Sequence, residues 1–143
     1  MPGSSPAATR YLSSFRRTLR VLRASPCLLR KTRALSRLCW QRESALRISK
    51  YRWSAFHQTY LDLALRSRGI DTLIISGGST DVGVTATVYS GRDLDYNMIV
   101  VRDACGTSHD QRAHDTLMEL IFPRMSRVRT TDQVIQMIQQ GKR

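Results

Sequence analysis

Apolar positions from Ser44 to the C-terminus follow two patterns, unbroken runs of strand length and runs spaced three or four residues apart. Thr72-Leu73-Ile74-Ile75-Ser76 and Asn97-Met98-Ile99-Val100-Val101 are unbroken, which predicts strands covered on both faces, as in a parallel sheet. Leu61 and Leu65 share a helical face after Thr59, a cap residue, and Gly69 is expected to stop that helix in the left-handed region. Residues 109–122 read as a helix with Leu117, Leu120 and Ile121 inward and Pro123 as its stop. Val128 marks a short last strand. Thr130, Thr131 and Asp132 then cap a final helix with Val134, Ile135 and Ile138 on one face before Gly141. Ala45 to Ile48 reads as a short strand end.

One stretch sets propensity against topology. Val82-Gly83-Val84-Thr85-Ala86-Thr87-Val88-Tyr89 is rich in β-branched residues and would be a strand by composition. Parallel strands at 72–76 and 97–101 nevertheless need a right-handed crossover of a dozen or more residues between them, usually a helix. The topological demand is stronger, so a helix is expected from Thr80 to Ser90 with Gly91 as its stop. Strands alternating with helices define an α/β fold with a parallel sheet.

Charge divides the chain in two. Residues 1–42 carry ten Lys/Arg and no Asp or Glu, whereas residues 43–143 carry thirteen basic and eleven acidic side chains. Most of the net charge of +12 therefore belongs to the first region. Residues 1–43 are expected to be a basic leader, disordered or non-native, and 44–143 a partial α/β domain. The leader is rich in Arg, Ser and Leu, is interrupted by Pro26, and offers no strand-like run of the needed length. An import presequence has this composition. A nucleic-acid-binding arm is disfavoured, because Tyr11, Phe15 and Trp40 are not interleaved as a stacking platform. The expected location is cytoplasmic, with organelle import through residues 1–42 as the alternative.

Cys27, Cys39 and Cys105 are too widely and irregularly spaced for a disulfide framework, and no Cys/His spacing fits a zinc site, so neither metal nor cofactor is expected. His109 and His114 are five apart, which does not place both on one helix face. Solvated or capping roles are favoured for them. No apolar run approaches the roughly 18 to 20 residues that cross a bilayer.

Two blocks carry a resemblance. Lys50-Tyr51-Arg52-Trp53-Ser54-Ala55-Phe56 matches K-x-R-x-S-A-F. Gly78-Ser79-Thr80-Asp81-Val82-Gly83-Val84-Thr85-Ala86-Thr87 follows G-x-T-x-x-(C/G)-V-x-x-T, and Tyr96 and Val101-Arg102-Asp103-Ala104 stand where G-Y and V-x-D-A are expected. In these blocks the chain resembles the isochorismatase-like (cysteine hydrolase) superfamily. The resemblance implies a Rossmann-like three-layer α/β/α domain, incomplete at its N-terminus, with the active site at the carboxyl ends of the strands. Open parallel sheets bind ligands there in general.

Members of that superfamily use an Asp on the first strand, a Lys in the first block and a Cys at the start of the helix after the G-x-T turn. By resemblance Lys50 is the catalytic lysine, Gly83 occupies the nucleophile position, and Ser79 and Gly83 supply the oxyanion N–H donors. The family's non-proline cis peptide corresponds to Gly78–Ser79. Arg52, Trp53, Phe56 and Thr80 are candidate pocket residues. The chemistry has a physical logic: a base generates the thiolate, a lysine stabilises negative charge, and a helix N-terminus offers free N–H groups to an oxyanion.

The departures matter as much as the matches. Gly83 has no sulfur, and no strand ending in an acid precedes Lys50. Isochorismatases proper also have Gly at this position and use the Asp as proton donor to cleave a vinyl ether. The resemblance thus implies a hydrolase of a small amide or vinyl-ether metabolite, impaired in this chain. A non-catalytic binding or assembly role is the alternative, and a homo-oligomer is admitted. The sequence alone reads best as the later part of a longer domain, truncated or out of frame upstream; a partner chain supplying the rest is the lesser alternative. Cys105 is favoured as a structural thiol over a substitute nucleophile, and Asp103 as a residue that binds a turn backbone.

Overall fold

A computed structural model describes residues 18–23 (backbone only), 48–107 and 110–141. Four strands form one parallel sheet in the order β1 (Thr18–Arg23), β2 (Thr72–Gly78), β3 (Asn97–Gly106), β4 (Arg127–Arg129). Helix α1 (Leu61–Arg66) precedes β2. A wide π-type turn, Thr80–Val84, runs into α2 (Thr85–Asp93) and makes the crossover to β3. After β3 come α3 (Gln111–Thr116), a second π turn (Leu117–Ile121), a 3₁₀ turn (Phe122–Arg124), β4 and α4 (Thr131–Gln140). The helix expected between β2 and β3 is present despite its β-branched residues, because a parallel pair cannot be joined tightly.

The unbroken runs are buried on both sides. Leu73, Ile75, Met98 and Val100 face one apolar cluster with Leu61, Leu65, Val88, Met118 and Phe122. Ile74, Ile99 and Val101 face the other, covered by Val134 and Ile138 of α4. The three-layer expectation holds: alternate residues of β2 and β3 supply opposite layers. Gly69 ends the chain segment after α1 at φ 62, as its sequence position implied. Thr59 accepts a hydrogen bond from the Leu61 N–H at 3.3 Å, and Thr130 closes a capping box with Gln133 at the start of α4.

Four expectations are corrected. First, the basic leader contains a strand: Thr18–Arg23 pairs in uninterrupted parallel register with Thr72–Gly77. Main-chain pairing to an open strand needs only six residues here, not the long apolar run that the sequence reading required. The strand end expected at Ala45 to Ile48 is not seen at Ile48, which lies outside regular structure, and 45–47 fall outside the described residues.

Second, Gly91 lies within α2 and does not end it; the chain turns at Asp95, at φ 61. A Cβ at Gly91 would stand 2.8 Å from Met98 Cε, 2.9 Å from its Sδ and 3.2 Å from Phe56 Cε2, so this glycine permits a close approach. Third, β3 continues past Val101 to Gly106, with a register shift against β2 between Ile75 and Gly77. Fourth, Leu120 is exposed, while Met118 and Phe122 are buried. The helical run ends at Ile121, next to Pro123 as the sequence implied, and Pro123 sits at the start of the 3₁₀ turn, where a residue without a free N–H is tolerated.

Gly91→Ala sets two effects against each other. Alanine in a helix interior gains up to about 1 kcal/mol over glycine, while forcing a methyl into a filled core costs about 1–3 kcal/mol. Met98 is only 2% exposed and has little room to withdraw. A net loss of about 1 kcal/mol is expected in urea unfolding; a variant more stable than the parent would show that Met98 and Phe56 give way freely.

Candidate active site

The end of β2 turns sharply through Gly77, at φ 128, a conformation suited to glycine. The Gly78–Ser79 peptide is cis, at the bond the sequence pattern named. Ser79 is extended, and its carbonyl accepts from the Val82 and Val84 N–H groups at 3.4 and 3.1 Å. This brings Gly83 round to face the 50–53 segment. A Cβ at Gly83 would lie 3.8 Å from Gly78 O, 3.8 Å from Trp53 O and 3.9 Å from Lys50 Nζ. These are ordinary contacts, so the position has room for a side chain, and its nearest cation is the Lys50 ammonium.

Lys50 is itself fixed by its own loop, its ammonium donating to the carbonyls of Arg52 and Trp53, each at 3.0 Å. The loop is in turn latched to α2. Ser54 Oγ donates to Ser90 Oγ at 2.8 Å, and Ser90 Oγ donates to Ala86 O at 2.9 Å. The Ala55 N–H donates to Thr87 Oγ1 at 3.0 Å, and that hydroxyl donates onward to Gly83 O at 2.7 Å. The last Thr of the second sequence block thus holds the first block in place. Phe56 stacks on Tyr96 with centroids 5.5 Å apart. Tyr96 donates to Asp62 Oδ1 at 2.7 Å, and burial followed by that carboxylate pushes its phenol up to about 12.

The structure brings Lys50, Gly78, Ser79 and Gly83 together. Of the candidate pocket residues, Trp53 contributes its carbonyl to the site while its indole is 70% exposed. Arg52 is exposed, and its guanidinium donates to Tyr51 O at 3.2 Å. Phe56 is half-buried against Tyr96. Thr80 is fully buried, and its hydroxyl meets His114 Nδ1 at 2.9 Å.

Sequence reasoning missed this Thr80–His114 pair, which is 34 residues apart and carries no motif. It also missed a polar group at the rim. Ser79 Oγ donates to Asp81, and Thr107 Oγ1, from beyond β3, donates to the same Asp81 oxygen at 3.2 Å.

Asp103 accepts from the Thr131 N–H at 2.8 Å and from the Thr131 hydroxyl at 2.9 Å, the turn-binding role expected of it. Cys105 is buried, and desolvation above all pushes its thiol up to about 12, the nearby Asp103 charge adding to this. A thiol so placed stays protonated near neutral pH and is no nucleophile. His109 lies outside the described residues. Among the described residues no group of three or more His, Cys, Asp or Glu is arranged to hold a metal ion. No described helix is long and apolar enough to cross a membrane.

The family model of the isochorismatase domain matches residues 27–133. The chain belongs to the isochorismatase family. It is 37% identical over 93 residues to the uncharacterized isochorismatase family protein YecD of Escherichia coli O157:H7, covering 65% of this chain and 49% of that one. It is 38% identical over 91 residues to the uncharacterized family protein YwoC of Bacillus subtilis, covering 64% of this chain and 48% of the other. Among solved structures, an isochorismatase family protein of Burkholderia thailandensis superposes with TM-score 0.65 at 32% identity, over 68% of this chain and 51% of that one. The nicotinamidase of Staphylococcus aureus superposes with TM-score 0.56 at 25% identity, over 70% and 62%.

This isochorismatase-family chain therefore spans about half the length of the curated relatives it matches. The family is one of hydrolases. The strand beside β2, followed by Ala24 and Ser25, passes through a region of sequence with no Asp or Glu.

Proposed function

We propose that this chain carries the lysine and oxyanion-turn part of a hydrolase site for a small amide or vinyl-ether metabolite. Lys50 stabilises developing negative charge, and the backbone N–H groups of Ser79 and Gly83 receive the oxyanion. The observation that carries this reading is the placement of the Lys50 ammonium 3.9 Å from where a Cβ on Gly83 would stand, at the first turn after β2. Preorganised donors of this kind are worth about 10²–10³ in rate each. The amide class draws support from two relatives. One is the nicotinamidase, and the other a ureidoacrylate amidohydrolase of Methylobacterium radiotolerans, 37% identical over 67 residues.

Turnover in this chain is impaired, because Gly83 supplies no nucleophile and residues 1–42 supply no acid. That absence favours a second reading, a non-catalytic binding or assembly protein that keeps the ligand cleft. The small molecule is the partner in either case, and the location is cytoplasmic, with import through residues 1–42 as the alternative.

A panel of nicotinamide, ureidoacrylate and isochorismate, followed by ammonia or pyruvate release, separates the two. Slow turnover on at least one compound, abolished by Lys50→Met, supports the hydrolase. Saturable binding with no release on any compound supports the binding protein.

A further inference from the structure

We infer that His114 is a positioning residue for the site, its imidazole fixing the Ser79–Gly83 turn through the Thr80 hydroxyl. Thr80 lies in the turn itself, between Ser79 and Gly83, the two residues proposed to supply the oxyanion N–H groups, and is fully buried. Its side chain has one partner on α3, His114 Nδ1 at 2.9 Å, and its carbonyl accepts from Thr85 Oγ1 at 2.6 Å. One residue thus anchors the turn at both ends, to the helix that follows it and to the helix across β3. His114 is only 5% exposed, on a helix whose first turn is capped by Asp110.

The direction of the bond decides the chemistry. A neutral imidazole with Nδ1 unprotonated accepts the Thr80 proton; an imidazolium has a donor there instead and leaves the buried Thr80 proton without that acceptor. The surroundings hold the neutral form. Burial is the largest cause lowering the His114 pKa below 6.5, the Arg102 charge from β3 adds to it, and Asp115 on the same helix opposes it. Arg102 is itself paired with Asp115 at 3.5 Å and Glu119 at 2.7 Å. On the turn, Asp81 is engaged by Ser79 and Thr107.

Because the folded-state pKa is depressed, the unfolded chain takes up the His114 proton first as pH falls. The stability contributed by neutral His114 is complete above about pH 6.5 and is lost as pH drops through the lower folded-state value.

The inference rests on the proposed function only in taking this turn as the site, and its test needs no turnover. In the full chain, His114 ring signals and the Ser79 and Gly83 amides are followed by NMR from pH 8 downwards. Amide exchange of Val84, whose N–H bonds to Ser79 O at 3.1 Å, is measured alongside.

The Ser79 and Gly83 amides are expected to titrate with the imidazole. His114→Leu is expected to speed Val84 exchange about ten-fold, the loss of roughly one hydrogen bond's stabilisation. His114→Asn, whose amide oxygen accepts near the Nδ1 position, keeps exchange within about two-fold of the parent and abolishes the titration. Should His114→Leu not fold, Thr80→Val and Thr80→Ser replace it, the first speeding exchange and the second not. Site amides that ignore the imidazole, or Asn and Leu variants that behave alike, overturn the inference. Failure to hydrolyse any amide bears on the proposed function alone.

Discussion

A cysteine placed at position 83 is expected to react with iodoacetamide with a pH midpoint near or below 7, against about 8.5 for an unperturbed thiol. Lys50→Met in the same background is expected to raise that midpoint by about one unit, or about 1.4 kcal/mol. The geometry sets both numbers. The new Cβ would sit 3.9 Å from the Lys50 ammonium, in the first helical turn after β2, where the helix dipole favours negative charge. Two charges about 4 Å apart interact by about 1 kcal/mol in water and about 4 kcal/mol near a protein surface. Lys50 is half exposed, so the lower part of that range applies.

The midpoint, not the rate at one pH, is the right measurement, because a less basic thiolate is also a weaker nucleophile, with a Brønsted slope of about 0.4–0.5. Cys27→Ser and Cys39→Ser remove the other reactive candidates, and Cys105, with its thiol pushed up to about 12, remains silent. A midpoint at 8.5 that Lys50→Met leaves in place would disprove the charge-stabilising role.

Phe122→Ala is expected to be the most damaging truncation of the core. The ring is fully buried in the cluster that also contains Leu65, Leu73 and Met118, and it sits where the second π turn meets the 3₁₀ turn. Its carbonyl is a junction, accepting from Ser126 N at 2.7 Å, Ser126 Oγ at 2.9 Å and Met125 N at 3.0 Å, so the backbone cannot easily settle into the vacated space. Removing a buried phenylalanine costs about 3–5 kcal/mol. That is a large part of the roughly 5–15 kcal/mol by which a domain is stable. Chemical denaturation of this variant beside Leu120→Ala makes the comparison internal. Leu120 is 66% exposed, and its truncation is expected to cost no more than about 0.5 kcal/mol. Equal losses in the two variants would mean that the inward face of this segment has been wrongly assigned.

The Leu120 contrast explains why part of the fold was illegible in the sequence. A regular 3.6-residue period through 109–122 puts Leu117, Leu120 and Ile121 inward. The π turn at Leu117–Ile121 widens the helix: the fully buried positions follow a spacing of four, His114, Met118 and Phe122, while Leu117 and Ile121 pack half-buried against the core and Leu120 turns outward. The strands were readable because burial on both faces leaves an unbroken apolar signature. The helix at 85–93 was readable only through topology, its local composition pointing the other way. β1 escaped because Arg20 and Arg23 cut its apolar residues into runs of one and two, Leu19 and Val21-Leu22, and its pairing is with the main chain of β2.

In the site, Lys50, Ser79 and Gly83 were found because two compact motifs contain them. The bonds that unite the motifs, Ser54 to Ser90 and Ala55 to Thr87, span more than 30 residues each. Serines and threonines at such separations carry no periodic or charge signal.

The register shift along β3 has a mechanical meaning. Between Val100 and Cys105 that strand advances five positions while β2 advances from Ile75 to Gly77. Within and just beyond this surplus it sends Asp103 to the last helix and Thr107 to the rim of the cleft. Deleting a residue there would transpose inward and outward side chains and detach one end or the other. Length variation among similar chains should therefore be barred from 103–107, making this short stretch a fixed ruler for the molecule.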